Sequence, residues 1–310
     1  MTRVATNANF QSALLDLQRA QSRQQDAQSR IATGKVATDL SGFGRGAETL
    51  TALKAADARL TGFIATGEAV QARLDTQALA FDRLIESTDI AREAVANALA
   101  AGRFDGLMLE LEGSFQAAQG ALNLKHQGAY LFAGARTTDT PVEAETLADL
   151  AAEPTLNDVF SNDQLVGSAR LDDTTVVTTG FLANDIGGPL MQVLRAVQAY
   201  HAGPSGPITG QLDAAGRAFL EQQLAAFDSA RETAVLAGAR NGALQNRVES
   251  LLGAQQAQQT QLTGLIGDRT DADMAQAVTD LNLSQVAIQA SAQVINQLRE
   301  ISLLNLLSSS

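Results

Sequence analysis

The feature that most constrains this chain is a helical seam at each end, in which the seam residues follow one another in alternating steps of three and four. Near the C-terminus the seam consists of Met274, Val278, Leu281, Gln285, Ile288, Ala292 and Ile295. Near the N-terminus it consists of Phe10, Leu14, Leu17, Gln21, Gln24, Gln28 and Ile31. Such heptad spacing is typical of a helix that packs along a partner helix. The sequence therefore predicts two terminal helices that need a partner.

The last helix also lacks the charged face of an ordinary surface helix. No charged residue lies between Leu281 and Leu298, and glutamine recurs at every fourth position from Gln285 to Gln297. These glutamines argue against a membrane span. Uncharged faces suit helices that pack against copies of themselves, and a C-terminal helix docked on its own domain is the open alternative. The predicted subunit-packing residues are Phe10, Leu14, Leu17, Ile31, Leu281, Gln285, Ile288, Gln289, Ile295, Leu303 and Leu306.

Composition favours long helices and excludes several chemistries. Aromatic residues make up 4% of the 310 residues, and the chain contains no tryptophan or cysteine. Disulfides and thiol catalysis are thereby excluded, and two histidines leave little for zinc binding or His-based catalysis. The net charge of −12 argues against a nucleic-acid partner. No cleavable signal peptide is visible at the N-terminus, so export would need another route. We expect no enzyme activity, no cofactor and no metal.

Two long helices are predicted between the two terminal helices in the sequence, over residues 46–100 and 208–266. Both carry apolar residues at helical spacing, and the first would be about 80 Å long at a rise of about 1.5 Å per residue. Between them, residues 137–190 contain ten acidic side chains and a single basic one, Arg170. This acidic insert is most simply a solvated outer face, and a patch for cations or glycans is the alternative.

The order of these segments predicts the domain organisation. Residues 164–171 and 174–182 are rich in Val and Thr and favour strands. The predicted domains are 1–42 with 268–310 as an inner assembly core, 43–140 with 189–267 as a helical rod, and 141–188 as a small acidic outer domain. The fold class is mainly α, an elongated antiparallel helical rod or coiled-coil bundle formed by both termini, with a small mostly-β insert domain.

Some residues could suggest a ligand, but each has a plainer interpretation. The glycine-rich segment 42–46 is not a phosphate loop, because no strand precedes it and no Gly-Lys-Ser/Thr follows, so it predicts a hinge between helices. The aspartates in 268–273 lack the EF-hand spacing and favour a helix cap, with Thr270 at the start of the last helix. His126 and His201 lie at predicted helix ends without the partners of a catalytic triad.

Five stretches of the chain resemble the bacterial flagellin superfamily. They are residues 30–35, 240–252, 271–278, 289–292 and 302–307. Each is weak alone, but their order and spacing at both ends make the resemblance strong. Within the superfamily, the chain is most similar to the family of hook–filament junction proteins, the hook-associated protein 3 family.

That closer similarity rests on Gly128-Ala-Tyr-Leu-Phe-Ala-Gly134 and on the Thr-Asp-Thr-Pro-Val segment at 138–142. The resemblance covers roughly 1–142 and 208–310. One departure lies after the first helix, where superfamily members usually carry Asp-Asp-Pro or Asp-Asp-Ala and this chain has Asp39-Leu-Ser-Gly.

The resemblance implies a structural axial component of the bacterial flagellum, secreted by type III export for motility, that joins the hook to the filament outside the cell. It implies self-assembly into a ring or tube, with a hook-associated protein on the hook side, flagellin on the other side and a flagellar export chaperone. It implies neither a nucleic acid nor a membrane as a partner. The alternatives are flagellin, the filament subunit, and a cell-surface adhesin or glycan-binding protein that uses the insert.

Overall fold

Long helices dominate the computed structural model, which describes the backbone of residues 2–307 and the side chains of residues 8–300. The helices are α1 (Thr2–Thr33), α2 (Ala47–Ala101), α3 (Leu107–Leu122), α4 (Leu147–Ala152), α5 (Ala183–Ala202), α6 (Ala214–Thr270) and α7 (Met274–Leu307). Two short antiparallel hairpins pair β1 (Lys125–His126) with β2 (Ala129–Tyr130), and β3 (Ser168–Arg170) with β4 (Val176–Thr178). The mainly α fold with a small β insert, predicted from the sequence, is confirmed.

The chain divides into two compact units. The terminal unit comprises Met1–Arg59 and Gln258–Ser310, and the middle unit comprises Leu60–Ala257. The acidic insert at 141–188, predicted as an outer domain, therefore lies within the middle unit. It contributes side chains to the buried core there, as described below.

Both long helices occur close to where the sequence predicts them, but the junction before the last helix differs. Thr270 is the last residue of α6 rather than the cap of α7. Asp273 caps α7 instead, because its Oδ1 accepts hydrogen bonds from the backbone amides of Ala275 at 2.9 Å and Gln276 at 3.0 Å. The predicted cap at Thr270 is wrong because the aspartate immediately before the helix satisfies its first free amides.

Reciprocal ion pairs help to set the alignment of α2 and α6 in the middle unit. Each helix carries an Asp and an Arg three residues apart. Arg92 Nε lies 2.5 Å from Asp228 Oδ1, and Arg231 Nε lies 2.6 Å from Asp89 Oδ1. Because a step forward along α2 matches an equal step backward along α6, the helices run antiparallel. Such exposed pairs add only about 0–1 kcal/mol each, so they set alignment more than stability.

The insert contains more helix and shorter strands than the sequence predicts. Strands β3 and β4 cover three residues each, within the predicted segments 164–171 and 174–182. The pairing of the two strands stops at Gly167, because the amides of Thr179 and Gly180 both donate to its carbonyl. Helix α4 begins at a capping box formed by Thr146 and Asp149. The Thr-x-x-Asp spacing was the signal for this helix, and the sequence interpretation missed it.

The Gly128–Gly134 motif joins several elements at the centre of the middle core. Phe132 is fully buried, and its ring lies 5.7 Å from that of Phe81, which in turn lies 5.0 Å from Phe181 in the insert. Gly134 has φ +70°, and a Cβ there would lie 2.0 Å from the Asp163 carboxylate. The motif is therefore a packing element, and its last glycine is required by the close approach of Asp163.

Candidate subunit-packing surface

Helices α1 and α7 pair in the terminal unit and are tied together where they meet their loops. Helix α1 ends at Thr33 and is followed by Gly34, whose φ is +66° and whose amide donates to the carbonyl of Arg30. The amide of Val36 then donates to Thr270, and the amide of Ala272 donates to Gly34. Lys35 and Asp271 face each other in an antiparallel bridge. The two terminal helices thus run antiparallel from this junction.

The seam between α1 and α7 is lined by small residues at intervals of seven. Ala13, Ala20 and Ala27 on α1 and Ala277 and Ser284 on α7 are buried. Larger residues between them are only half-buried, as with Leu17, Ile31, Leu281, Ile288 and Ile295. Small side chains let two helices approach closely, but they remove little apolar surface from water. The pair therefore has a regular interface with a thin core.

The structure separates the predicted subunit-packing residues into three groups. Phe10, Leu17, Ile31, Leu281, Ile288 and Ile295 are half-buried on the faces that α1 and α7 share. Leu14 is 42% exposed, and Gln285 and Gln289 are also exposed, so these three lie outside the seam. The side chains of Leu303 and Leu306 lie outside the described residues.

Every second position of the N-terminal seam is therefore shifted by one residue from the predicted pattern, whereas Phe10, Leu17 and Ile31 keep their predicted places. Ala13, Ala20 and Ala27 take the places expected for Leu14, Gln21 and Gln28. The sequence interpretation favoured the larger apolar residue Leu14. The recurrence of alanine every seven residues was the signal that would have identified the seam.

An apolar face of α7 points away from α1. Leu283 and Val286 are each 63% exposed, and Val294 is 45% exposed. Each residue turns about 100° around a helix, so these three side chains share one face, roughly opposite the Leu281–Ile288 seam. The sequence interpretation did not single out this face. Among the residues whose side chains are described, this face is suited to apolar contact with another molecule.

Charges around the α1–α7 junction are few and exposed. Lys35 Nζ lies 2.5 Å from Asp271 Oδ1, and Arg30 lies 3.8 Å from Asp280. The hydrogen bond from Lys35, aided by one from Thr270, lowers the pKa of the Asp271 carboxyl below its ordinary value of 3.8. These pairs orient the junction, and the apolar face of α7 carries no charge of its own.

Nothing in the described part of the chain suggests a catalytic or metal centre. Among these residues no cluster of His, Asp or Glu side chains could hold a metal ion. The imidazole of His126 bonds the hydroxyl of Thr76, and that of His201 accepts the amide of Ile208, so both rings serve local structure. Within residues 2–307, no helix combines the length and the apolar character needed to cross a bilayer.

The fold and the helical ends define a class of protein. Residues 224–307 match the family of the bacterial flagellin C-terminal helical region. This segment covers most of α6 and the whole of α7, so the C-terminal region of the chain is similar to that family. The resemblance to the flagellin superfamily, predicted from the sequence, is confirmed.

Solved structures sharpen the comparison. A protein described as a flagellar hook-associated protein from Vibrio parahaemolyticus is similar with a TM-score of 0.61 and 16% identity, over 74% of this chain and 100% of that one. Bacillus cereus FlgL is similar with a TM-score of 0.53 and 14% identity, over 70% of this chain and 98% of that one. At such low identity these matches show a shared fold. No curated protein sequence matches the chain.

Proposed function

We propose that this chain is a structural component of the bacterial flagellum that joins the hook to the filament. The observation that carries the proposal is that its flagellin-type C-terminal region ends in a helix with an uncovered apolar face. Similarity to a flagellar hook-associated protein over the whole length of that protein supports the junction rather than the filament. The role is mechanical rather than catalytic.

In this proposal, copies of the chain assemble into a ring or tube through their terminal units. The face formed by Leu283, Val286 and Val294 packs on a neighbouring copy, with Gln289 at the edge of that contact and Gln285 further round the helix. Burying a Leu or Val side chain completely contributes about 1.5–3 kcal/mol, so these partly exposed residues contribute about 1 kcal/mol each. Because the contact repeats around a ring, these contributions add up over the assembly.

The finer partners belong to the same proposal. A hook-associated protein lies on the hook side, flagellin lies on the filament side, and an export chaperone holds the chain before type III secretion. The protein then resides in the extracellular flagellum, with neither a nucleic acid nor a membrane as a partner. The flagellin alternative predicts the same export but a different position in the flagellum.

Immunogold electron microscopy separates these roles. Label confined to the boundary between hook and filament is expected. Label along the filament would support flagellin instead, and label over the cell surface would support an adhesin.

A double variant, Leu283→Glu with Val286→Glu, tests the packing face. We expect a chain of normal helical content by circular dichroism that no longer assembles or supports motility. Gln222→Glu adds a charge to an exposed position of α6 and serves as the control. Normal assembly of the double variant would contradict the proposed face.

A further inference from the structure

The middle unit contains a second, smaller core that only three elements supply. Its buried residues are Val70 and Leu74 from α2, Val248 from α6, and Leu171 and Val177 from the β3–β4 hairpin. The helices α3 and α5 contribute to the larger core instead, beside a different stretch of α2 and α6. Within the described residues, the hairpin is therefore the third layer over this stretch of the helix pair.

Two helices alone cannot cover such a seam. A pair of helices buries one stripe of each and leaves the groove beside that stripe open to water. The side chain of Leu252 on α6 packs directly over Gly67 on α2, since a Cβ on Gly67 would lie 2.6 Å from it. On the hairpin, Ala169 pairs with Val177, and both side chains turn towards the helices. The hairpin thus closes the groove with its inner face.

Buried glutamines fasten the hairpin at both ends. Gln77 on α2 donates from Nε2 to the carbonyl of Thr179 at 3.2 Å, just after β4. Gln255 on α6 donates from Nε2 to the carbonyl of Leu171 at 2.6 Å, at the start of the turn. The two glutamines are 0% and 8% exposed, respectively. One long helix thus holds the base of the hairpin, and the other holds its tip.

A third buried amide lies between these two anchors and joins the helices directly. Asn241 on α6 is fully buried and donates from Nδ2 to the carbonyl of Leu74 at 2.9 Å. A buried amide in a helix seam fixes alignment, because any slip would leave it without its partner. The alignment of the two helices and the position of the hairpin on them are therefore both fixed by buried amides in the same part of α2 and α6.

We propose that the β3–β4 hairpin is a strap that holds α2 and α6 together over residues 67–77 and 241–255. Release of the hairpin and loosening of this helical stretch are one cooperative event. The acidic insert is then an integral part of the middle unit, and its hairpin governs how readily the helix pair opens. This inference concerns the middle unit alone and does not depend on the proposed role in the flagellum.

Hydrogen exchange of the full-length chain, followed by mass spectrometry, tests the strap. The variants are Gln255→Leu and Gln77→Leu. Each replaces the amide donor with an apolar side chain of similar size and so removes one hydrogen bond to the hairpin. Gln222→Leu, at an exposed position of α6, is the control. We expect exchange to rise at least about tenfold in the hairpin and in both helical stretches, since a buried carbonyl loses its donor. Exchange should not change in residues 84–98 and 220–234, where α3 and α5 share the core.

Other outcomes overturn the proposal. If only the hairpin exchanges faster, it is an appendage and not a strap. If all regions exchange faster to the same extent, the glutamines support stability in general. If exchange is unchanged, the hydrogen bonds from Gln77 and Gln255 do not stabilise the hairpin or the helix pair. Should a glutamine variant fail to fold, Val177→Ala provides a milder test with the same expected pattern, because it shrinks the hairpin's contact with the helices.

Discussion

The terminal and middle units are both built on antiparallel helix pairs, yet they bury different kinds of side chain. In the middle unit the largest fully buried side chains are Phe81, Phe115, Phe132 and Phe227. Among the described residues of α1 and α7, the buried side chains are alanines and a serine. Because hydrophobic stabilisation follows the apolar area removed from water, the middle unit can hold itself together, whereas the terminal helices gain much less from each other. The difference predicts that the terminal helices, rather than the middle unit, depend on neighbouring molecules for stability.

Limited proteolysis should show the largest difference between the units. Arg19 and Arg23 are exposed on α1, and Arg83 is exposed on α2 in the middle unit. We expect trypsin to cut monomeric protein after Arg19 and Arg23 at least about a hundred times faster than after Arg83. This ratio corresponds to about 3 kcal/mol in the free energy of local opening. Mass spectrometry of the fragments gives the order of the cuts, and comparable rates at all three arginines would contradict the comparison.

Removing one aromatic ring from each unit sharpens the comparison. Phe81→Ala deletes a fully buried ring that contacts two others, so the free energy of unfolding should fall by about 3–5 kcal/mol. Phe10→Ala removes a half-buried ring from the thin seam and should lower it by less than about 1 kcal/mol. Urea denaturation followed by circular dichroism measures both. Leu109→Ala, at a 79% exposed position, is the control that should have no effect.

The alanine seam can be tested by overpacking it. Ala277 is fully buried between α7 and α1, so Ala277→Leu should force the two helices apart at a cost of about 1–3 kcal/mol. Trypsin should then cut after Arg19 and Arg23 faster, while the rate after Arg83 stays the same. Ala275→Leu places the same side chain at an exposed position of α7 and should leave both rates unchanged. A slower cut in Ala277→Leu would show that the seam has room for larger residues.

Periodicity predicted much of this architecture because helices longer than fifty residues repeat their signal many times. The bounds predicted for α2, 46–100, differ from Ala47–Ala101 by one residue at each end. The shift of the N-terminal seam from Leu14 to Ala13 could not be predicted from hydrophobicity, since it depends on how closely two helices approach. The position of the insert on the two long helices depends on contacts between residues far apart in the sequence, such as Gln255 with Leu171. Local patterns carry no signal for such contacts.

The smallest expected effect concerns two carboxylates, one in each unit. Hydrogen bonds from Thr175 and from the amide of Thr174 lower the pKa of Asp172, in the turn of the β3–β4 hairpin, to about 2. Because the folded pKa lies below its ordinary value of 3.8, the contribution of Asp172 to stability is present above about pH 3.8. It is lost as the pH falls towards about 2. NMR titration of the carboxyl carbon should therefore show Asp172 still ionised at about pH 3.

Salt should separate this carboxylate from its counterpart in the terminal unit. The pKa of Asp271 is lowered first by a hydrogen bond from the Lys35 ammonium, whereas the donors to Asp172 are uncharged. The Debye length falls to about 3 Å at about 1 M salt, so salt weakens the attraction within this exposed ion pair. The pKa of Asp271 should then rise towards its ordinary value, while that of Asp172 stays near its low-salt value. Equal shifts of both carboxyls would mean that long-range charge rather than turn geometry holds the Asp172 proton affinity down.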